Sequence, residues 1–440
     1  MSTAGFAPQA AGATGAGQHT ASAPAIVIVG AGPAGLMAAE ILAAAGLRVR
    51  VFDRMPSPAR KFLMAGRGGL NLTHSEPLSV FLTRYGPMGS PVPAFVESFP
   101  PDALRNWAAG LGQRTFVGSS GRVFPEAFKA SPLLRAWLQR LSGLGVELHL
   151  RQRWLGWTET NELLFEDTVS GRRHQIQAVA TILALGGASW PRLGSDGAWI
   201  EILTRAGCPV TPLGPFNAGA LVTWSRHLID RFAGTPLKRI SLTCDGRTVR
   251  GEAVITRSGL EGGCVYAMND AIREQFLNAE SGRVELFLDL RPDLDLQQLT
   301  EKLNARRNRQ SIATFLRRQA GLSPAAIALA REPDGTLPAT AAGLAAHLKA
   351  IRLEVTGLSA LDRAISTSGG LAWSALDNTL MLRNRPGTFC AGEMLDWYAP
   401  TGGYLLQGVF ASAVVVARNV MAWLHRDTSQ LGESLTNEIT

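Results

Sequence analysis

Residues 27–46 read VIVGAGPAGLMAAEILAAAG. An apolar run ending at Val29 passes into three glycines and a proline, then into an alanine-rich stretch whose one charge is Glu40. The pattern predicts a buried strand, a turn from Gly30 to Gly35 and a helix from Leu36 to Ala45, and RVRVFDR (48–54) supplies the next strand of a βαβ unit. Gly30, Gly32 and Gly35 have G-x-G-x-x-G spacing. The first glycine permits the tight turn, the second lets a pyrophosphate approach the backbone, and the third lets the helix pack close to the sheet. With Pro33 and Ala34 they open a helix whose free N–H groups and dipole face an anion. Asp53 ends the second strand, where a carboxylate can accept hydrogen bonds from a ribose hydroxyl. Arg54 beside it would favour a 2′-phosphate, but the Asp53 carboxylate opposes one, so the reading is an unphosphorylated adenosine ribose. A glycine-rich turn in an unrelated α/β protein is the bland alternative, and the placement of Asp53 weighs against it.

At 440 residues the chain is long enough for two or three domains, and 46% hydrophobic against 18% charged residues is a globular composition. Gly and Pro interrupt the longest apolar stretches, so no membrane span is predicted. Residues 1–24 lack a basic segment followed by an unbroken apolar one and read as a flexible tail, which makes a cytoplasmic location and no membrane partner the expectation. Cys208, Cys244, Cys264 and Cys390 lie far apart with no C-x-x-C, the pattern of buried side chains rather than a disulfide framework, a metal site or a redox pair. The net charge of +8 admits an anionic partner without choosing among nucleic acid, membrane surface and cofactor.

Two further glycine-dense segments extend the dinucleotide reading. RKFLMAGRGGLNLTH (60–74) brings Lys61, Arg67 and Asn71 on a loop, and FCAGEMLDWYAPTGGYLLQG (389–408) places Glu393 after a strand and Gly402-Gly403 at the start of an apolar helix. A carboxylate there suits a ribityl hydroxyl, and a second helix N-terminus suits the charge of a reduced flavin ring, which favours FAD over NAD. Between these segments the texture changes. Short β-type runs follow Ala206, helical periodicity runs from about Pro292 to Lys349, and the strand–glycine–helix pattern then returns. The expected fold class is α/β: a Rossmann-type FAD/NAD(P)-binding domain (25–205 and 363–428) interrupted by a β-barrel-like domain (206–290 and 350–362) that carries a helical insert (291–349), with a C-terminal tail from 429.

In order along the chain, VIVGAGPAGLMAA, RKFLMAGRGGLNLTH, GRVFPEAFKAS, LALGGASWPRLGSDG, GEAVITRSGLEGG, STSGGLAWSALD and AGEMLDWYAPTGGYLLQ resemble the HI0933-like (YhiN/BaiN-type) FAD-binding flavoproteins from about Ala25 to about Leu424. The resemblance implies that Gly30, Gly32, Gly35 and Asp53 hold the ADP half of FAD. It implies Lys61, Gly66, Gly68 and Asn71 on the second loop, Gly186 and Gly187 near the cofactor, and Gly392, Glu393, Gly402, Gly403, Tyr404 and Gln407 on the flavin half. Where the family has S-G-G-G-R-C-N, this chain has Ala65 to Asn71 with Leu70 in place of the cysteine and Arg67 two positions early. Trp397-Tyr398-Ala399 also departs from the family's small and acidic residues. Both features mark a divergent subgroup, and no thiol chemistry carries over.

There is no Ser-His-Asp order, G-x-S-x-G elbow, H-E-x-x-H helix or P-loop, so hydrolase, zincin and NTPase readings lose their usual support. No metal is expected. The resemblance implies an FAD-dependent oxidoreductase acting on a small organic substrate of enone or amine type. NAD(P)H would dock transiently, since a second dinucleotide fingerprint is missing. His74 and Tyr398 are the candidate proton donors; their bland alternatives are a loop cap and packing beside Trp397. An aminoacetone-type oxidase using O2 and a non-catalytic redox sensor are the alternatives. An RNA-associated flavoprotein is a further one, motivated by Arg291, Lys302, Arg306, Arg307, Arg309, Arg317 and Arg318 in the insert. Nucleic acid is nonetheless disfavoured as a partner, because a solvated helix face explains the same charges.

Overall fold

The computed structural model describes residues 25–305, 309–332 and 335–437, and the expected tail 1–24 lies outside them. Its centre is a five-stranded sheet in the order Thr388–Cys390, Ala180–Leu183, Ile26–Val29, Val49–Asp53, Glu147–Leu150. Every neighbouring pair is parallel. Ile26–Val29 is buried along its whole length, which is why it reads as an unbroken apolar run. The helix Pro33–Ala44 packs along the long closing helix Tyr404–Asn437, and Phe52 of the sheet stacks on Phe165 of a three-stranded meander (Gln152–Trp157, Leu163–Asp167, Arg173–Ile176) at 4.5 Å between ring centroids.

The closing helix continues to Asn437, past residue 428 where the sequence predicts a tail; no proline interrupts the chain after Pro400. Its stretch Tyr404–Arg426 has the length and hydropathy of a membrane span, but 61% of its most apolar window is buried inside the protein, as in a core helix.

Six antiparallel strands close a barrel in the order Ala220–Val222, Gly259–Glu261, Arg247–Thr256, Pro236–Cys244, Val284–Asp289, Ile351–Leu358. Ile351, Leu353 and Val355 point inward while their neighbours face out, the period of two that a half-buried strand requires. The helices Leu296–Leu303, Ile312–Ala320, Pro324–Leu329 and Ala341–Lys349 share one apolar core with the barrel, joining Leu299, Leu316 and Leu348 to Leu286 and Leu288. Asp295, Ser311, Ser323 and Thr340 each cap one of these helices by accepting a backbone N–H. The chain leaves the Rossmann side through Val210–Phe216 and returns through Ser366–Leu371, and these two strands pair with each other.

One buried side chain locks the barrel to this crossing. Asn269 Oδ1 accepts from Ala218 N at 2.7 Å, and its Nδ2 donates to Ala218 O and Val265 O, both at 3.0 Å. Asn269→Ala strands these backbone groups without water, so unfolding in urea should show a loss of about 2–3 kcal/mol.

Candidate functional site

The glycines of the first loop divide their work. Gly30 sits at φ 110, and a Cβ there would lie 2.3 Å from Ala184 O; one on Gly35 would lie 1.9 Å from Gly30 O. Both positions are glycine because backbone meets backbone. Gly32 caps the helix Pro33–Ala44 and faces open space. The space beside it lies at the positive end of a helix dipole, an arrangement suited to an anion. Asp53 accepts from Ala31 N through Oδ2 and from Met55 N through Oδ1, both at 2.7 Å, so the carboxylate holds the loop in shape. Burial pushes its pKa up, against those two bonds and the Arg54 and Arg60 charges. Arg54 pairs with Asp196 at 2.6 Å.

Three distant segments converge further along. Lys61 Nζ pairs with Glu393 Oε2 at 2.7 Å and donates to Ser189 Oγ at 2.9 Å, while Glu393 Oε1 accepts from Thr367 N at 3.2 Å. A Cβ on Gly187 would lie 2.4 Å from Thr367 Oγ1, which is why this turn has no side chain there. Gly403, at φ 96, starts the closing helix with its Cα so close to Thr73 that a Cβ would lie 2.5 Å from Thr73 Cα.

A single cavity of about 1210 Å³ connects these places. That exceeds the roughly 300–1,000 Å³ of an ordinary ligand pocket, as a long cofactor and a substrate together require. Its far wall comes from the barrel side: Asn217, Gly263, Tyr266 and Ile365. Four carboxylates line the cavity, Asp53, Asp196, Glu201 and Glu393, and none belongs to that wall. Each is already engaged, by backbone N–H groups, Arg54, Arg205 and Lys61 respectively.

The sequence profile of the HI0933-like protein Rossmann domain matches residues 24–419. The chain belongs to the HI0933-like family of flavoprotein oxidoreductases. It is 25% identical over 413 residues to the ribosomal RNA dihydrouridine synthase of Escherichia coli K12, covering 90% of this chain and 98% of that protein. It is 24% identical over 413 residues to the 3-dehydro-bile acid delta(4,6)-reductase of Clostridium scindens, covering 89% and 98%. In fold it is similar to the 3-ketosteroid delta1-dehydrogenase of Sterolibacterium denitrificans, with a TM-score of 0.50 at 12% identity, covering 90% of this chain and 99% of that one.

Of the residues this HI0933-like sequence nominates, Gly30, Gly32, Pro33, Ala34, Asp53, Arg54, Lys61, Asn71, Gly186, Gly392, Glu393, Gly402 and Gly403 line the cavity. Gly35 and Gly187 lie behind them as packing positions. Gly66 packs on Ala130, where a Cβ would lie 2.5 Å from the Ala130 methyl, and Gly68 is not on the cavity wall. The side chain of Arg67 lies outside the described residues.

Four nominations are corrected. Tyr404 turns its ring toward Phe81 and His74 and donates its hydroxyl to Glu76 Oε1 at 2.7 Å. Gln407 turns the other way and donates to Phe99 O at 2.6 Å. His74 is tied at both ring nitrogens: Nε2 meets Ser120 O at 3.0 Å and Nδ1 accepts from Glu76 N at 3.1 Å, so it caps a loop. Tyr398 donates to Asp270 Oδ1 at 2.8 Å and lies over Phe216, joining the closing segment to the barrel side. Burial and that carboxylate push its hydroxyl pKa well up. None of the four lines the cavity.

Sequence reasoning missed Asn217, Tyr266, Ser189, Ser195 and Arg122. Trp190 lines the cavity, whereas Trp373 donates to Asp396 O away from it.

Lys61→Met leaves Glu393, only 9% exposed, without its cation. The expected result is a stability loss of about 1–3 kcal/mol, discounted because Lys61 is partly solvated, with weaker FAD retention on gel filtration. Tyr398→Phe should cost about 0.5–1.5 kcal/mol and leave FAD content unchanged, as measured by thermal unfolding and absorbance.

Proposed function

We propose that this protein is an FAD-dependent reductase that saturates a C=C bond conjugated to a carbonyl, with NADH or NADPH as the electron source. The observation that carries this reading is the barrel-side wall of the cavity, which offers an amide, a phenol and apolar surface but no carboxylate. An amine substrate arrives as an ammonium and calls for an anion opposite it, so the wall favours a neutral carbonyl compound over an amine. The aminoacetone-type oxidase is accordingly the weaker reading.

FAD suits the residues present. The open space at Gly32 under a helix start would take the diphosphate, and Asp53 the adenosine ribose. Asn71 Oδ1, buried without a partner among the described residues, offers an acceptor beside the cavity, and the turn at Gly402-Gly403 would lie against the ring. Bound and reduced, FAD supplies the hydride. The protein's own part is to hold the acceptor flat in the cavity, keep its carbonyl polarised and limit water. The names of both curated relatives describe the same bond change, since dihydrouridine is uridine with its carbonyl-conjugated ring C=C saturated.

A second reading keeps this chemistry and changes the carrier, making the acceptor a uracil base within RNA. It is motivated by Lys302, Arg309, Arg317 and Arg318, exposed on the helical insert with no carboxylate partner among the described residues. Such a stripe can follow phosphates, with affinity falling steeply as salt rises.

One anaerobic experiment separates the readings. NADH or NADPH is expected to bleach the flavin, and 2-cyclohexenone to restore its colour. Recovery with a uridine-rich RNA instead, suppressed by added salt, would favour the RNA carrier. Failure of both acceptors, with peroxide released from aminoacetone in air, would overturn the reductase reading.

A further inference from the structure

We propose that the Tyr266 hydroxyl is the hydrogen-bond and proton donor to the substrate's carbonyl oxygen, an inference that rests on the reductase reading and names the group that performs it. The barrel-side wall consists of Asn217, Gly263, Tyr266 and Ile365. Asn217 Nδ2 has both hydrogens committed, to Ser366 Oγ at 2.7 Å and to Ala399 O at 2.9 Å. Ala399 O can only accept, so the amide cannot be turned to present its nitrogen to the cavity. Gly263 and Ile365 have no polar side chain. Tyr266 is left, half-buried; the Gly262 backbone N–H faces its hydroxyl oxygen, and its proton has no acceptor among the described residues.

Its position is fixed from both sides. The short helix Gly263–Ala267 carries Tyr266, and Asn269 clamps Val265 O to the Ala218 backbone next to Asn217. Asn217 in turn holds Ala399, the residue before the Pro400–Gly403 turn that also lines the cavity. This chain of contacts ties the helix that carries Tyr266 to the residue before the Pro400–Gly403 turn, and both line the same cavity.

The step balances as follows. Hydride reaches the β-carbon, the C=C electron pair moves toward the carbonyl, and the developing oxyanion takes the Tyr266 proton to give an enol. The enol tautomerises to the saturated ketone in water, and the phenolate recovers a proton from solvent. The reductant is NADH or NADPH, which loses the hydride. Burial and the neighbouring Glu261 charge raise the Tyr266 pKa above its ordinary value, so the proton is present throughout the neutral range and is lost only at strongly alkaline pH. Arg122 is the competing donor. It lines the cavity from the strand Arg122–Pro125 with no carboxylate partner among the described residues. Its guanidinium can donate a hydrogen bond but does not surrender a proton.

The test uses the FAD-loaded full chain, with wild type, Tyr266→Phe and Arg122→Met compared. Cyclohexanone binding is read by calorimetry, and anaerobic reoxidation of the NAD(P)H-reduced protein by 2-cyclohexenone by absorbance. For Tyr266→Phe we expect about 5-fold weaker ketone binding, reoxidation about 100-fold slower or more, loss of the wild-type solvent deuterium effect, and nicotinamide reduction within about 2-fold. Ketone binding and reoxidation unchanged in Tyr266→Phe, or lost only in Arg122→Met, would overturn the proposal. Reoxidation failing in the wild type would overturn the reductase reading alone, because ketone affinity, read without turnover, still decides the role of Tyr266. A wild type that binds no ketone would also overturn the proposal.

Discussion

Backbone must meet backbone at three places for the cavity to exist. Gly30 lies on Ala184, Gly35 lies on Gly30, and Gly403 lies on Thr73, each so close that a methyl group would overlap main-chain atoms. The first two contacts seat the helix Pro33–Ala44 at the end of its strand and open the space at Gly32. The third brings the closing helix, hundreds of residues later in the chain, to the same opening. Side chains cannot substitute for these contacts, because any side chain would hold the walls apart.

The Lys61–Glu393 pair has a different kind of importance. A partly buried ion pair adds little net stability, since desolvation offsets most of the attraction. Its geometry is what counts. One ammonium and one carboxylate fasten the helix Arg60–Ala65, the Ser189 turn, Thr367 of the return strand and the segment after Cys390 into a single wall. Loss of either partner leaves a charge in poor solvent, so the four segments are held in one arrangement.

The parallel sheet was legible because strands buried on both faces must be apolar throughout, as Ile26–Val29 and Ala180–Leu183 are. The barrel strand Val284–Asp289 was legible as a short β-type run and the insert from its helical period. Cavity-lining main-chain positions such as Gly32 and Gly402 were legible from their glycine motifs. Side chains next to those turns were not. His74, Tyr398, Tyr404 and Gln407 sit within or beside recognisable motifs, but adjacency along the chain does not say which way a side chain points, and all four point into protein. Asn217 and Tyr266 carry no local pattern at all. They reach the site only because Asn269 and Ala399 tie the barrel to the closing segment.

This division of labour bears on the divergent second loop. Leu70 occupies the place where the resemblance has a cysteine, and it is buried. The four cysteines present are also buried, none lines the cavity, and burial raises every one of their pKa values. No thiol can therefore serve an acceptor in this chain. A donor has to come from another element, and on the Rossmann side Arg122 offers a hydrogen bond rather than a transferable proton. The barrel lines the cavity with one hydroxyl whose proton has no acceptor among the described residues, and with no carboxylate.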